Sequence, residues 1–310
     1  MLLVAVPAWS ASTRLSLNGA QETLVQEFTA PPVWRKGALD VYAPRKPLSD
    51  PNFSWAAGYI WNHGLVGSKE VWPARGKRFP GWTSNRNANS DPNGDMIEQL
   101  GARSPLTWAE TLNFTATPMP KDLVAGIDPR DPTGYMSASI TSFPYSQRYG
   151  VFAMVAKLPG GNGIWPAFWL MPVDRSWPPE IDIMEVLGRE GKTLYTTIHV
   201  NGKKGKEARG HGTETGLDLS ANFHEYAVDW GPKEIKWYFD RKLVFTQPTP
   251  DEFHKPFYVI ANVAVGLPDN WGGAPDESTR FPATMKVKSI RAWQRPAYAK
   301  APKHKAKTKK

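Results

Sequence analysis

The apolar positions of this chain fall in short runs separated by scattered glycines and prolines. YGVFAMVAKL, TLYTTIHV, HEYAVDW, EIKWYFD, KLVFTQ, FYVIANVAV and TMKVKSIRAW are rich in β-branched and aromatic residues, which suit a pleated, half-buried surface. GPKE between Trp230 and Ile235, and DRK between Phe239 and Leu243, supply turn residues that join antiparallel neighbours. No long stretch keeps a 3.6-residue period, so the pattern predicts an all-β protein, a sandwich or a barrel. Residues 31–110 are polar, proline-rich and poorly periodic, and predict long loops rather than a second domain.

One run breaks its own pattern. In PPEIDIMEVL, residues 178–187, strict alternation puts Glu180 and Asp182 on one face and Ile181 and Ile183 on the other, but then drives Glu185 in among the isoleucines. Burying an unpaired carboxylate costs several kcal/mol. A β-bulge at Ile183-Met184 removes the conflict: one extra residue flips the faces beyond it, so all three acids share one surface and Ile181 stays in the core. Two carboxyl groups about 5–5.5 Å apart are what retaining cleavage of a glycosidic bond requires. A flat bulged strand would hold Glu180 and Glu185 roughly 13 Å apart at about 3.3 Å per residue, so the sheet has to be concave. From these residues alone, an exposed strand with solvated carboxylates remains the alternative, and neither glutamate is assigned a role.

Composition adds limits. With 310 residues, 41% apolar and 22% charged, the chain can bury one sizeable core as a soluble globular protein. There is no cysteine, which excludes disulfides and thiolate metal sites, and no histidine cluster suggests a ligand set. The 14 tryptophans point to ring stacking in a groove as well as in a core. Seven of the nine net positive charges lie in the last sixteen residues, so the folded body is close to neutral and specific nucleic-acid binding is not expected. Residues 296–310 read as a basic disordered tail that either solubilises the chain or contacts anionic polymers. Residues 1–20 read as a signal remnant or disordered leader, consistent with a secreted or periplasmic protein, and no segment suits membrane insertion. A monomer is expected.

The acids also have telling neighbours. RYGVFAMVAKLPGGNGIWPAFWLMP, then EIDIME followed by YTTIH, then FHEYAVDWGPKEIKWYFD, then PFYVIANVAVG and FPATMKVKSIRAW resemble, in order, the landmark strands of glycoside hydrolase family 16 in its bulged E-x-D-x-x-E form, its laminarinase and exopolysaccharide-glycanase branch. The likeness is strong over residues 110–295 and weak over 21–110. It implies a curved antiparallel β-sandwich, a jelly roll, over residues 21–295, with an open substrate cleft on the concave sheet. It implies a retaining endo-hydrolase of β-linked polysaccharides, here β-1,3 or mixed-linkage glucan or a bacterial exopolysaccharide. A transglycosylase on the same polymers and a non-catalytic carbohydrate-binding protein are the alternatives.

By the same resemblance Glu180 is the nucleophile, Asp182 its hydrogen-bonding assistant and Glu185 the acid/base, with His199 beside the acid/base. Alternation in GIWPAFWL turns Trp165 and Trp169 toward the cleft, Trp271 in NWGGAP is read as a cleft wall, and Asn262 as a sugar contact. Relatives carry Glu and Arg where this chain has Ala153 and Val155, which puts subsite contacts inferred from them in doubt. Lys288 stands where relatives place a calcium-binding Asp, so no calcium is expected there, and no cofactor is needed.

Overall fold

The structure, a computed structural model, describes residues 14–28, 55–57, 82–84, 89–92, 94–124, 134–143 and 145–299. In chain order its strands are β1 (Gln21–Glu27), β2 (Ala56–Ala57), β3 (Trp82–Ser84), β4 (Asn89–Pro92), β5 (Leu106–Trp108), β6 (Leu112–Pro118), β7 (Tyr135–Met136), β8 (Ser139–Thr141), β9 (Gly150–Lys157), β10 (Ile164–Pro172), β11 (Glu180–Glu185), β12 (Thr193–Gly202), β13 (Gly205–Glu214), β14 (His224–Trp230), β15 (Glu234–Phe239), β16 (Lys242–Pro248), β17 (Phe257–Val265) and β18 (Ala283–Gln294). A seven-stranded sheet runs β13-β12-β11-β10-β17-β8-β2. An eleven-stranded sheet runs β16-β15-β14-β9-β18-β6-β7-β4-β3, with β1 added beside β18 and β5 beside β6. Every pairing is antiparallel except β4 with β7. The fold is the expected all-β jelly-roll sandwich.

Alternation along each strand builds the core between the sheets. Phe168, Leu170, Ile181, Ile198, Val259 and Val263 face inward from one sheet, and Phe152, Met154, Tyr226, Val228, Trp237, Met285 and Ile290 from the other. Each fully buried aliphatic or aromatic side chain of this kind contributes about 1.5–3 kcal/mol. The seven-stranded sheet carries a second apolar set on its other face, where Ala167, Trp169, Met171, Tyr258 and Ile260 cluster with Phe143. Covered on both faces, β10 and β17 read in sequence as nearly unbroken apolar runs.

The turns obey local chemistry. Between β15 and β16, Asp240 and Arg241 both take positive φ, 46° and 65°, the pair of left-handed residues that a type I′ hairpin needs. Asp240 repays the strain through its carboxylate, which accepts from the Glu225 amide at 2.9 Å and lies 2.8 Å from His224 Nδ1.

Two expectations need correction. Residues 14–20, placed in the leader, pack on the domain: Leu15 is buried beside Val151 and Trp293, and its amide donates to Arg241 O. The basic tail starts later than position 296, because Pro296–Ala299 form a helical turn, Arg295 grips the Asp229 carboxylate at 2.7 and 3.0 Å, and Tyr298 also donates to it. Ala153 and Val155 lie on β9 in the eleven-stranded sheet, with Ala153 clustered with Leu15 and Ala227, in keeping with the doubt about subsite contacts at these positions. Within the expected long-loop region the chain also forms β2 to β5 and a helix, α1 (Gly94–Leu100). Residues 1–13, 29–54, most of 58–88 and 300–310 lie outside the described residues. Among the described residues no helix is long and apolar enough to cross a membrane.

Candidate active site

The broken alternation in β11 is a bulge. On the β12 side Asp182 pairs with Thr197 and Glu185 with Tyr195, so three steps on β11 oppose two on its neighbour. On the β10 side Asp182 pairs with Trp169 and Met184 with Phe168, two steps against one. Register slips at Ile183-Met184 against both flanking strands. Ile181, Ile183 and Met184 all end in the core, and Glu180, Asp182 and Glu185 share the outer face of the seven-stranded sheet. The carboxylates form a ladder across that face.

Register places the partners. Glu180 lies opposite His199 on β12, and His199 Nε2 stands 3.6 Å from Glu180 Oε1 and 3.2 Å from Asp182 Oδ2. The histidine therefore serves Glu180 and Asp182. It does not sit beside Glu185, as expected, because the bulge shifts Glu185 into register with Tyr195 instead. Trp165 Nε1 donates to Glu185 Oε1 at 3.0 Å. Trp177, which sequence reasoning passed over, donates to Glu180 Oε2 at 2.7 Å and leans on the His199 ring at 5.9 Å. Its only signal was an indole three residues before the first acid, in a proline-rich segment without periodicity.

The aromatic walls differ at the two ends of this row. At the Glu185 end, Trp271 is 43% exposed and meets Trp165 and Tyr195 edge-on, with centroids 5.4 and 4.8 Å apart. Its loop is pinned by Arg189, whose guanidinium donates to Gly272 O at 2.7 Å and Trp271 O at 3.1 Å. A Cβ on Gly272 would come within 2.8 Å of Trp165 Cε3, so only glycine lets the loop lie this close. Trp169 and Asn262 are brought together but lie deeper. The indole donates to Asn262 Oδ1 at 2.8 Å, and both residues are buried in the floor.

Burial and mutual repulsion set the protonation of the cluster. Glu185 is pushed up to about 8, first by burial, then by the charge of Glu180, against the Trp165 N–H that favours its anion. Asp182 rises to about 6, through burial and the charge of Glu185, and the His199 contact holds it from rising further. Glu180 rises too, well above its ordinary value, by burial and then by the charge of the neighbouring Asp182. Such a pair shares a proton and titrates as a unit. For His199, burial opposes the cation, but the hydrogen bond and charge of Asp182, with Glu180 behind them, carry it to about 9. Near neutral pH the site holds an imidazolium, a proton-sharing carboxyl pair and a protonated Glu185. Glu180, Asp182 and His199 also offer ligand atoms within 4.8 Å of one another, a set able to hold a cation, although the imidazolium competes for those positions.

Three acids thus share one aromatic-lined face, and the model of the family glycosyl hydrolases family 16 matches residues 101–288. The chain belongs to glycosyl hydrolases family 16. Among the relatives it matches, the endo-1,3-1,4-beta-glycanase ExsH of Rhizobium meliloti is 33% identical over 235 residues, covering 73% of this chain and 48% of its own. The beta-glucanase of Rhodothermus marinus is 34% identical over 195 residues, 54% of this chain and 65% of its own. The chain spans less than half the length of ExsH. The catalytic domain of an endo-1,3-beta-glucanase (laminarinase) from Thermotoga petrophila superposes with a TM-score of 0.64 and 26% identity, over 89% of this chain and 98% of that domain.

Away from the cleft, Lys288 is exposed on β18 and its Nζ lies 4.2 Å from the centroid of the Phe223 ring.

Proposed function

We propose that this family 16 chain is a retaining endo-β-glucanase that cuts internal β-1,3 linkages of β-1,3 or mixed β-1,3-1,4 glucans. The observation that carries the proposal is the bulge, which turns Glu180, Asp182 and Glu185 onto one face between Trp177 and Trp165. In the first step the Glu180 carboxylate attacks the anomeric carbon while Glu185 gives its proton to the departing glycosidic oxygen. Asp182 takes the proton the carboxyl pair shares, which leaves Glu180 free to attack. The His199 imidazolium offsets the charge of both.

In the second step the ionised Glu185 takes a proton from water. The resulting hydroxide-like oxygen attacks the anomeric carbon, and Glu180 leaves as carboxylate. Inversion at each of the two steps gives retention overall. A Glu185 that is protonated near neutral pH is the acid the first step needs. Trp165, Trp177 and Trp271 offer indoles on which pyranose rings stack. The linkage preference draws support from the names of ExsH, an endo-1,3-1,4-beta-glycanase, of the Rhodothermus marinus beta-glucanase and of the Thermotoga petrophila endo-1,3-beta-glucanase. Polymers of this kind lie outside the cell, which fits a secreted enzyme.

The test is product analysis on laminarin, lichenan and succinoglycan-type polymers, with Glu180→Ala as control. Reducing ends in a ladder of oligosaccharides, absent with the variant, support the proposal. Products longer than the starting oligosaccharide would instead identify a transglycosylase, and binding without cleavage a carbohydrate-binding protein.

A further inference from the structure

We infer that Trp237 is a positioning residue for catalysis: from the opposite sheet it holds the carbonyl at which the acid-bearing strand slips register, and so fixes where Glu185 points. The inference rests on the proposed roles of Glu180 and Glu185. Asp182 is the last residue of β11 before the register breaks against β10 and β12 together. A bulge disrupts the ladder locally, and a buried carbonyl there still needs a donor. The donor comes from across the core. Trp237 Nε1 gives its proton to Asp182 O at 2.8 Å, and Trp237 is fully buried.

Trp237 is itself well anchored. It belongs to β15, pairs with Val228 on β14 and Phe245 on β16, and packs its ring against Phe245 at 5.4 Å. The hydrogen bond thus ties a rigid part of the eleven-stranded sheet to the one irregular point of the catalytic strand. A second core tryptophan gives the contrast. Trp230 is equally buried in the neighbouring strand β14, but its Nε1 has no hydrogen-bond partner among the described residues. Its ring packs, whereas the N–H of Trp237 is directed at the bulge.

Without that N–H the extra residue is free to relax, and a displacement of about 1 Å in a catalytic group costs on the order of 100-fold in rate. Relaxation also moves Glu185 away from the charge and burial that raise its proton affinity, so its acid form is lost at lower pH.

The experiment compares Trp237→Phe and Trp230→Phe by kcat, KM and pH–rate profile on laminarin. Trp237→Phe should lower kcat by about 10- to 100-fold with KM nearly unchanged. It should also move the alkaline limb of kcat to lower pH, while Trp230→Phe moves neither. A folded Trp237→Phe with parental kcat and alkaline limb overturns the inference, and so does a Trp230→Phe that produces the same shift. If Trp237→Phe does not fold, a benzothienylalanine placed at position 237, which keeps the ring shape and replaces N–H by sulfur, decides by the same two readouts. Glu180→Ala separates the layers: activity surviving in it removes the premise, whereas an inactive Glu180→Ala beside a parental Trp237→Phe overturns the positioning role alone.

Discussion

Replacing Glu185 by Gln should make the protein more stable and nearly inactive. The carboxyl is raised from its ordinary value of 4.5 to about 8 by burial and by the charge of Glu180. Its folded proton affinity therefore exceeds its unfolded one, so its contribution favours folding at low pH and is lost as pH climbs from about 4.5 through about 8. At pH 7 the full shift would be worth on the order of 3 kcal/mol, and coupling to Glu180 and Asp182 brings a working figure to about 1–3 kcal/mol. Gln keeps the size of the side chain and an oxygen to accept the Trp165 N–H, but has no proton to lose. Glu185→Gln should accordingly melt several degrees above the parent at pH 8, at about 2–4 °C per kcal/mol, and close to it at pH 4. Differential scanning calorimetry of both proteins between pH 4 and 9 measures this. A melting difference that does not change with pH, or a variant less stable than the parent at pH 8, would refute the reasoning.

Three further outcomes follow from the same cluster. His199→Gln removes the cation that holds down the proton affinity of Glu180 and Asp182, so the acid limb of kcat/KM should move to higher pH, read from a pH–rate profile. Trp177→Phe deletes the N–H that favours ionised Glu180; a hydrogen bond to a charged group is worth about 1.5–3 kcal/mol, so kcat/KM should fall about 10- to 100-fold in steady-state assays. Trp271→Ala takes away an exposed stacking surface that touches none of the acids, so KM should rise several-fold with kcat changed less, in the same assays on laminarin-derived oligosaccharides.

Much of this site was legible because its signals are local. A single misplaced acid disclosed the bulge, since a strand with one buried face cannot carry Glu185 inward, and the bulge lies where the pattern required it. Alternation likewise placed Ile181 in the core and turned Trp165 to the face that carries Glu185. Features that depend on register or on distant partners were not legible. His199 was assigned to the wrong glutamate because its neighbour is set by how β12 aligns with a bulged strand, and the same slip hands Tyr195 to Glu185. Ala153 and Val155 left subsite contacts in doubt, and sequence could not show that β9 belongs to the other sheet, between β14 and β18, strands far from it in sequence. The tail was drawn too long because composition cannot show that Arg295 and Tyr298 meet Asp229. The N–H of Trp237 is the extreme case, since it reaches across the whole core to a carbonyl 55 positions away.

The central claim is that the bulge gathers Glu180 and Glu185 for two successive displacements at one anomeric carbon. Its most direct test is the anomeric configuration of the first-formed product, followed by proton NMR in the minutes after enzyme meets laminarin. The account predicts that the β anomer appears first and only later mutarotates toward equilibrium. An α anomer at the earliest time points would contradict it.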